Sequence, residues 1–213
     1  EKEQADVIII KPNSNIDGVM INVIYKNIPQ SMNMYKNWIK ENVKLSFLER
    51  FKFSSIIPFL FIDVQNTDSL FCQGNIDPTV IKILTKILSE GVIFVNEPDK
   101  KKAKDNFNFG SENLCVISYE KSQDIPQIVQ FDKVVCIAPS SNDGAIFEDQ
   151  SDWSVEKAIS NQQIQKDYLK SSLKKLKPGG ICVYSTFSIN PLKIKPSNFL
   201  KDGYKNVKFL KRR

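Results

Sequence analysis

Cysteine and the acidic residues are the side chains here that could do covalent or acid–base chemistry, because histidine is absent. The four cysteines, Cys72, Cys115, Cys136 and Cys182, lie inside or beside hydrophobic runs and show no CxxC spacing. Without histidine, Ser-His triads and most zinc sites are excluded, and we expect no metal site. We interpret the cysteines as small core residues of an intracellular protein from a reducing compartment, cytoplasmic or nuclear.

Glu97 is the carboxylate whose position most directly suggests binding chemistry. It follows the apolar run Val92–Val95, which is typical of a buried strand, and precedes Pro98, a residue favoured in the first turn of a helix. A carboxylate just after a strand can accept hydrogen bonds from both hydroxyls of a ribose. The alternative interpretation is an acidic residue that only interacts with a helix dipole.

The elements that must position these residues alternate between strands and helices from residue 54 onward. The predicted strands are Leu70–Cys72, Val92–Val95, 113–118, 132–139 and 179–186; the predicted helices are Thr79–Leu88, a second one opening at Pro98, and Asn161–Leu176, closed by Lys177–Gly180. This alternation predicts an α/β fold, a mostly parallel sheet with helices on both faces. Ligands of such sheets bind at the carboxyl ends of the strands.

Residues 1–50 follow a different pattern, so we divide the chain into a segment 1–50 and a domain 51–213. Two candidate strands, Asp6–Ile10 and Val19–Tyr25, precede an amphipathic stretch from Tyr35 to Phe51. The chain begins at Glu1 with no methionine, and we therefore treat it as part of a longer protein. No apolar run reaches the ~20 residues of a membrane span, so we expect no membrane partner.

Positive charge is concentrated at the C-terminal end. The net charge is +6, and residues 193–213 carry eight Lys or Arg and one Asp, which leaves the rest of the chain at about −1. Clustered cations favour a phosphate-rich partner, and interleaved aromatic residues favour RNA. The candidate RNA-binding residues are Lys193, Lys195, Lys211, Arg212 and Arg213. The alternative is a solvated basic tail.

Four segments in order resemble a known family: "FSSIIPFLFIDVQNTDSLFC", "GVIFVNE", "FDKVVCIAPSSNDGAIF" and "LKPGGICVYSTFSINP". Together they resemble the Sun/Fmu-type (NOL/NOP/Sun) RNA cytosine-5 methyltransferases, most closely the eukaryotic tRNA branch. The resemblance covers roughly residues 50–191 and implies a Rossmann-like S-adenosylmethionine-dependent methyltransferase fold. It also implies that residues 1–50 are the end of an RNA-binding extension or a linker.

The family's catalytic groups are replaced in this sequence. Its nucleophilic cysteine lies in "YSTCS", where this chain has Phe187, and its second cysteine lies in "D-x-P-C-S-G-x-G", where this chain has Ser140. Ile137 replaces the aspartate of the same motif, which engages the target cytosine. A phenylalanine cannot attack, and isoleucine can neither pair with a base nor protonate it.

The family's cofactor loop, "D-x-C-A-A-P-G-x-K-T", is also altered. Cys72 and Thr79 match it, whereas Ile76 replaces the turn glycine and Pro78 replaces the lysine. Gly74 could provide a shifted turn. Glu97 matches the ribose-binding acid and Glu120 falls near the adenine-side aspartate, so the resemblance implies a partial S-adenosylmethionine site at Cys72, Gly74, Thr79, Glu97 and Glu120.

Three functions are consistent with these residues. The first is a degenerate RNA (tRNA) cytosine-5 methyltransferase-like domain that transfers no methyl group and acts in RNA or protein binding. An active paralogue is one possible protein partner of such a domain. The second is an active S-adenosylmethionine-dependent RNA methyltransferase whose site is non-standard or completed by a partner subunit. The third is a scaffold module that does not bind RNA. The residues favour the first.

Overall fold

The computed structural model describes residues 6–10, 20–23, 32–45, 48–127, 129–140 and 155–186. The chain divides into two compact units, residues 1–57 and 58–213. Its elements are β1 (Asp6–Ile10), β2 (Met20–Val23), α1 (Asn33–Lys44), β3 (Leu48–Lys52), α2 (Phe53–Leu60), β4 (Ser69–Gly74), α3 (Pro78–Ile87), β5 (Val92–Asn96), α4 (Lys100–Phe107), β6 (Leu114–Ile117), β7 (Phe131–Ile137), α5 (Val155–Lys174) and β8 (Leu176–Ser185).

The first unit contains an antiparallel sheet with strand order β2-β1-β3. The two candidate strands of the sequence analysis are confirmed as β1 and the shorter β2. The amphipathic stretch that follows is two elements, because α1 ends at Lys44 and β3 begins at Leu48. All five residues of β3 pair with β1. This pairing with a strand distant in sequence outweighs the helical periodicity of the local sequence.

The second unit is built on a five-stranded sheet in the order β6-β5-β4-β7-β8, and every neighbouring pair is parallel. The predicted α/β fold with a parallel sheet is therefore confirmed. The chain runs outward from β4 to β6 and then returns to β7 on the other side of β4. The order of strands thus reverses between β4 and β7, which is where ligands bind in open sheets of this kind.

Two apolar layers cover the sheet. On one face, residues of β4, β7 and β8 pack with α5 and the 3-10 turn at Ser122–Asp124; the buried members are Phe71, Ile125, Phe131, Val134, Leu169, Leu173 and Cys182. Right-handed crossovers require α3 and α4 to cover the opposite face. Among the described residues, each helix is too short or too polar to cross a lipid bilayer.

The helix before Lys177–Gly180 ends two residues before the predicted Leu176, but these four residues are not a turn outside the sheet. The helix, α5, already ends at Lys174, and these four residues lie inside β8 as an irregularity opposite the single residue Asp132. Lys177 donates from Nζ to both carboxylate oxygens of Asp132 at 2.9 Å, and Ser69 donates to the same carboxylate. These bonds lower the pKa of Asp132. The motif therefore stabilises the amino-terminal edge of the sheet.

The second predicted helix begins later than Pro98. It starts at Lys100, and the Asp99 side chain accepts hydrogen bonds from the backbone N–H groups of Lys101 and Lys102 at 2.8 and 3.1 Å. An aspartate cap satisfies donors that the helix itself cannot, so it fixes the start of the helix more strongly than a proline does.

Lys175 is buried just after α5, with 2% of its surface exposed. Its Nζ donates to Ser171 Oγ at 2.9 Å and lies 5.4 Å from the centre of the Phe71 ring. Burial disfavours the charged form and lowers the pKa of Lys175 from 10.5 to about 8.

We predict that Lys175→Met stabilises the protein at pH 7, by roughly 1–3 kcal/mol. Between pH 8 and 10.5 the unfolded chain binds more protons at this lysine than the folded chain, so the wild-type free energy of unfolding rises with pH in that window. The variant lacks this rise, and its advantage should shrink as pH approaches 10. Urea unfolding of both proteins from pH 7 to 10 measures the difference.

Lys170→Met is the matched control, because Lys170 is an exposed residue of the same helix. Its pH dependence should follow that of the wild type. Parallel stability curves for the wild type and Lys175→Met would contradict the prediction.

Candidate functional site

The carboxyl edge of the sheet brings most of the sequence-predicted site residues to one side of the second unit. Gly74 ends β4 and is paired in register with Ile137, the last residue of β7. Glu97 directly follows β5, and Glu120 lies three residues after β6. Ser140 lies three residues after β7 and is half-buried. These residues surround the point at which the strand order reverses.

The backbones of Gly74 and Ile137 touch at this point. Gly74 has a φ of +99°, and a Cβ built on it would lie 1.9 Å from the Ile137 carbonyl oxygen. The same oxygen accepts a hydrogen bond from the backbone N–H of Asn75 at 2.9 Å. Only glycine fits this position, since any side chain would both clash and be strained. The shifted turn that the sequence suggested at Gly74 therefore forms, and it folds against β7.

The segment after this turn uses its own backbone donors. Asn75 and Ile76 donate to the carbonyl oxygens of Ile137 and Gly74. Thr79 donates to the Asp77 carboxylate at 2.9 Å, and the next two N–H groups donate to the Asp77 carbonyl. Pro78 has no N–H. Of the seven residues 75–81, at most one, Asp77, therefore has a backbone N–H open to a ligand.

This arrangement is a poor site for an anion. A helix N-terminus binds carboxylate or phosphate through unsatisfied N–H groups and a favourable dipole. At the start of α3 these donors are used, and the Asp77 carboxylate already occupies the capping position. Ile76, which stands where the family has its turn glycine, is buried with 6% exposure. A ligand carboxylate would find at most one open backbone donor here, and the family's lysine is replaced by Pro78.

The ends of β5 and β6 offer a different environment. Glu97 is half-buried, its N–H donates to the Ile117 carbonyl at 3.0 Å, and one of its carboxylate oxygens accepts from the Asp99 N–H at 3.1 Å. Its carboxylate has further acceptor capacity for ribose hydroxyls. Glu120 is exposed and follows Tyr119, whose backbone bonds to Asn96, the residue before Glu97.

Asn96 holds these two strand ends together, and this contact was not predicted from the sequence. Its side-chain amide donates to the Tyr119 carbonyl at 3.1 Å and accepts from the Tyr119 N–H at 2.9 Å. The residue is buried with 1% exposure, and both its amide nitrogen and its amide oxygen bond to Tyr119. The signal was an asparagine at the last position of an otherwise apolar strand, just before Glu97.

Asn96 belongs to a row of buried polar side chains on adjacent strands. Strand pairing aligns Asn96 with Gln73, Gln73 with Cys136, and Cys136 with Tyr184. Gln73 donates to the Tyr168 carbonyl of α5 at 2.8 Å. The Gln73 side-chain oxygen and the Tyr184 hydroxyl are buried and have no hydrogen-bond partner among the described residues.

Three of the four cysteines are unsuited to nucleophilic chemistry. Cys72, Cys136 and Cys182 have no exposed surface, and burial raises the pKa of each thiol, that of Cys136 to about 12. The thiolate, which is the reactive form, is therefore suppressed at neutral pH. Cys72, predicted to contact the cofactor, lies within β4 rather than at the carboxyl edge. In the part of the chain that the structure describes, no cluster of side chains could hold a metal ion.

Two groups of predicted site residues lie outside the described residues. Phe187, at the position of the family nucleophile, is one of them, and the five basic residues between Lys193 and Arg213 are the others. Ile137 is described, with 1% exposure. Its carbonyl holds the turn after β4, while its aliphatic side chain offers no group to a base.

Comparison with known proteins gives consistent results. A family model described as 16S rRNA methyltransferase RsmB/F matches residues 80–197, more than half of the chain. The multisite-specific tRNA:(cytosine-C(5))-methyltransferase trm4b of Schizosaccharomyces pombe is 25% identical over 213 aligned residues, covering 74% of this chain and 31% of that protein. The chain spans less than a third of the length of the curated relatives it matches.

Two solved structures share the fold. A methyltransferase homolog protein from Pyrococcus horikoshii has a TM-score of 0.64 at 17% identity, covering 89% of this chain and 67% of that chain. NSun6 from Pyrococcus horikoshii, solved with SFG, has a TM-score of 0.60 at 16% identity, covering 74% of this chain and 42% of that chain. At these identities the likeness shows the fold, and it confirms the predicted Rossmann-like methyltransferase architecture.

We predict that Gly74→Ala lowers the free energy of unfolding by roughly 2–4 kcal/mol, because the new Cβ meets the backbone of Ile137. Gly110→Ala is the control: Gly110 also has a positive φ, +64°, but a Cβ there meets nothing within 4 Å. It should cost only the strain of the left-handed conformation, about 1 kcal/mol. Urea unfolding compares the two, and equal losses would contradict the close contact.

Proposed function

The chain belongs to the 16S rRNA methyltransferase RsmB/F family, and we propose that it is a degenerate member, which keeps the fold and an affinity for RNA but transfers no methyl group. The observation that carries this proposal is the closed turn after β4. Gly74 folds against Ile137, and the following backbone donors are used inside the protein. This turn is where the family's cofactor loop lies in the sequence.

The replaced catalytic groups support the same conclusion. A cytosine-5 methyltransferase of this family needs a thiolate to add to C6 of the base and a group that engages the base. Phe187 and Ser140 stand at the two cysteine positions, and Ile137 stands at the aspartate position. Cys72, Cys136 and Cys182 cannot substitute, since all three are buried in strands. We therefore assign no catalytic residue.

We propose that the cofactor site is divided. Glu97 and Glu120, fixed by the Asn96 bracket, form the end that would bind the nucleoside, whereas the turn at Gly74–Thr79 no longer accepts the amino-acid end. S-adenosylmethionine would then bind no better than adenosine. All four cysteines are free thiols, which supports a reducing compartment.

RNA is the proposed macromolecular partner. Relatives include tRNA:(cytosine-C(5))-methyltransferases, and the cations between Lys193 and Arg213 provide clustered positive charge for phosphates. We propose that Lys193, Lys195, Lys211, Arg212 and Arg213 contribute these contacts. Residues 1–50 would add the end of an RNA-binding extension.

Calorimetric titration tests the divided site. We expect adenosine and S-adenosylhomocysteine to bind with affinities within about threefold of each other, and Glu97→Ala to weaken both by about tenfold, the effect of losing one charged hydrogen bond. Glu112→Ala, which removes an exposed carboxylate elsewhere in the second unit, is the control and should change neither.

Two results would contradict the divided site. S-adenosylhomocysteine binding a hundredfold more tightly than adenosine would mean that the amino-acid end is still held, and would favour an active methyltransferase with a non-standard or partner-completed site. No binding of either ligand would mean that the nucleoside end is lost too.

Restoring the two cysteines tests the loss of methyl transfer. We predict that neither the wild type nor Phe187→Cys/Ser140→Cys transfers radiolabelled methyl groups from S-adenosylmethionine to tRNA or rRNA transcripts, because the cofactor's amino-acid end and the base are both without partners. Circular dichroism of the double variant controls for folding. Incorporation of labelled methyl groups by the wild type would refute the proposal. Incorporation by the double variant alone would mean that the missing thiols are the only cause of inactivity.

A further inference from the structure

The proposed function leaves two buried polar atoms of the second unit unexplained. The Gln73 side-chain oxygen and the Tyr184 hydroxyl are buried and have no hydrogen-bond partner among the described residues. Gln73 as a whole has no exposed surface. Buried polar groups in folded proteins are nearly always bonded, either to other protein groups or to ordered water. Both atoms therefore need a partner beyond those that the described residues supply.

Gln73 and Tyr184 lie at the same height of the sheet, on either side of Cys136. Gln73 is aligned with Cys136 on β7, and Cys136 is aligned with Tyr184 on β8. Residues aligned in this way point to one face of the sheet, which here is the face of α5, because Gln73 bonds to the Tyr168 carbonyl of that helix. Two strand spacings, about 10 Å, separate the Cα atoms of Gln73 and Tyr184. Two long side chains that lean towards each other can hold one small molecule across this distance.

Both side chains do lean towards Cys136. Tyr184 packs against the small buried cluster that contains Cys136, and burial, followed by the charge that a Cys136 thiolate would carry, raises the pKa of its hydroxyl. On the other side, Gln73 Nε2 donates to Ser172 Oγ. Burial raises the pKa of Cys136 to about 12, against opposing hydrogen bonds from Ser172 and Gln73. The Gln73 amide and the Tyr184 hydroxyl therefore approach the same sulfur from the two neighbouring strands.

We propose that a single buried water molecule binds at this place, donating a hydrogen bond to Gln73 Oε1 and bonding to the Tyr184 hydroxyl. An amide oxygen only accepts, whereas a phenol hydroxyl both donates and accepts, so one water satisfies both atoms. The Cys136 sulfur provides a third, weak partner, and about three partners are typical of a buried water. Cys136 and Tyr184 are neutral at pH 7, since the pKa of each is raised, and neutral surroundings favour water over an ion.

The water would join two strands at the carboxyl edge of the sheet. Gln73 and Tyr184 are the penultimate residues of β4 and β8, which are separated by β7 and share no backbone hydrogen bonds. Through the bond from Gln73 to the Tyr168 carbonyl, the same link reaches α5. The inference goes beyond the proposed function and does not depend on it, since it concerns how this edge is held with or without a ligand.

Thermal unfolding of the full chain distinguishes a bound water from an unpartnered hydroxyl by the sign of one change. Tyr184→Phe removes only the hydroxyl. We expect the melting temperature to fall by about 2–4 °C, the shift that the loss of one hydrogen bond causes in a domain of this size. A hydroxyl without any partner would instead destabilise the wild type, so a higher melting temperature of the variant would overturn the inference. Tyr119→Phe, which removes the hydroxyl of a partly exposed tyrosine in the same unit, is the matched control and should leave the melting temperature nearly unchanged.

A double-mutant cycle tests whether one water serves both atoms. Gln73→Met removes the acceptor, but it also removes the bond to the Tyr168 carbonyl, so the informative quantity is the effect of Tyr184→Phe in the Gln73→Met background. We expect the fall in melting temperature to be at least halved there, because the water has already lost its acceptor. Equal falls in the two backgrounds would mean that the two atoms have different partners and would overturn the shared site.

A crystal structure of the wild type is the direct test, and it decides alone if Gln73→Met does not fold. We expect a water oxygen at about 2.5–3.2 Å from both Gln73 Oε1 and the Tyr184 hydroxyl oxygen. A direct bond between the two side chains, another protein group between them, or two separate waters would each overturn the inference.

Discussion

The approach of the Gly74 backbone to the Ile137 carbonyl oxygen constrains the whole carboxyl edge of the sheet. The two residues are 63 positions apart in sequence, and their strands are neighbours where the strand order reverses. Because the oxygen also accepts from Asn75, the chain leaves β4 turned over the end of β7. The direction of this turn places Asp77 at the start of α3, where its carboxylate caps the helix. A ligand that needed the backbone N–H groups of Asn75, Ile76 and Thr79 would have to break three internal hydrogen bonds, each worth about 1 kcal/mol.

The two ends of the proposed cofactor site are built in different ways, and this explains how one could persist without the other. The nucleoside end depends on side-chain contacts between β5 and β6, the bracket between Asn96 and Tyr119 above all. The amino-acid end depends on free backbone donors in the turn after β4. Among the described residues, no hydrogen bond joins the bracket to that turn. Closure of the turn therefore leaves the bracket unchanged.

Much of the sheet was predictable from the sequence, because its strands are short apolar runs. Val92–Val95, for example, is four of the five residues of β5. The β3 strand was not predictable, since pairing with β1 stabilises it and its local pattern is amphipathic. Lys177–Gly180 has the composition of a helix stop. Only the pairing of β8 with β7, in which these four residues lie opposite the single residue Asp132, shows that they belong to a strand. At the site, Glu97 was identified from its position after a strand. The role of Asn96 could not be predicted, because it depends on hydrogen bonds to the backbone of Tyr119 on the neighbouring strand end.

The isoleucine at position 137 connects the proposed loss of methyl transfer to the stability of the fold. Its side chain is 1% exposed, on a strand whose carbonyl holds the turn after β4. An aspartate in the same buried place would be removed from water, which disfavours its charged form. Burying an unpaired carboxylate costs several kcal/mol, and isoleucine instead contributes about 2 kcal/mol by burial. Isoleucine therefore suits the buried end of β7, and its backbone carbonyl would hold the turn whatever side chain stood at this position. Under the proposed function, methyl transfer would need the turn, position 137 and the two thiol positions to change together.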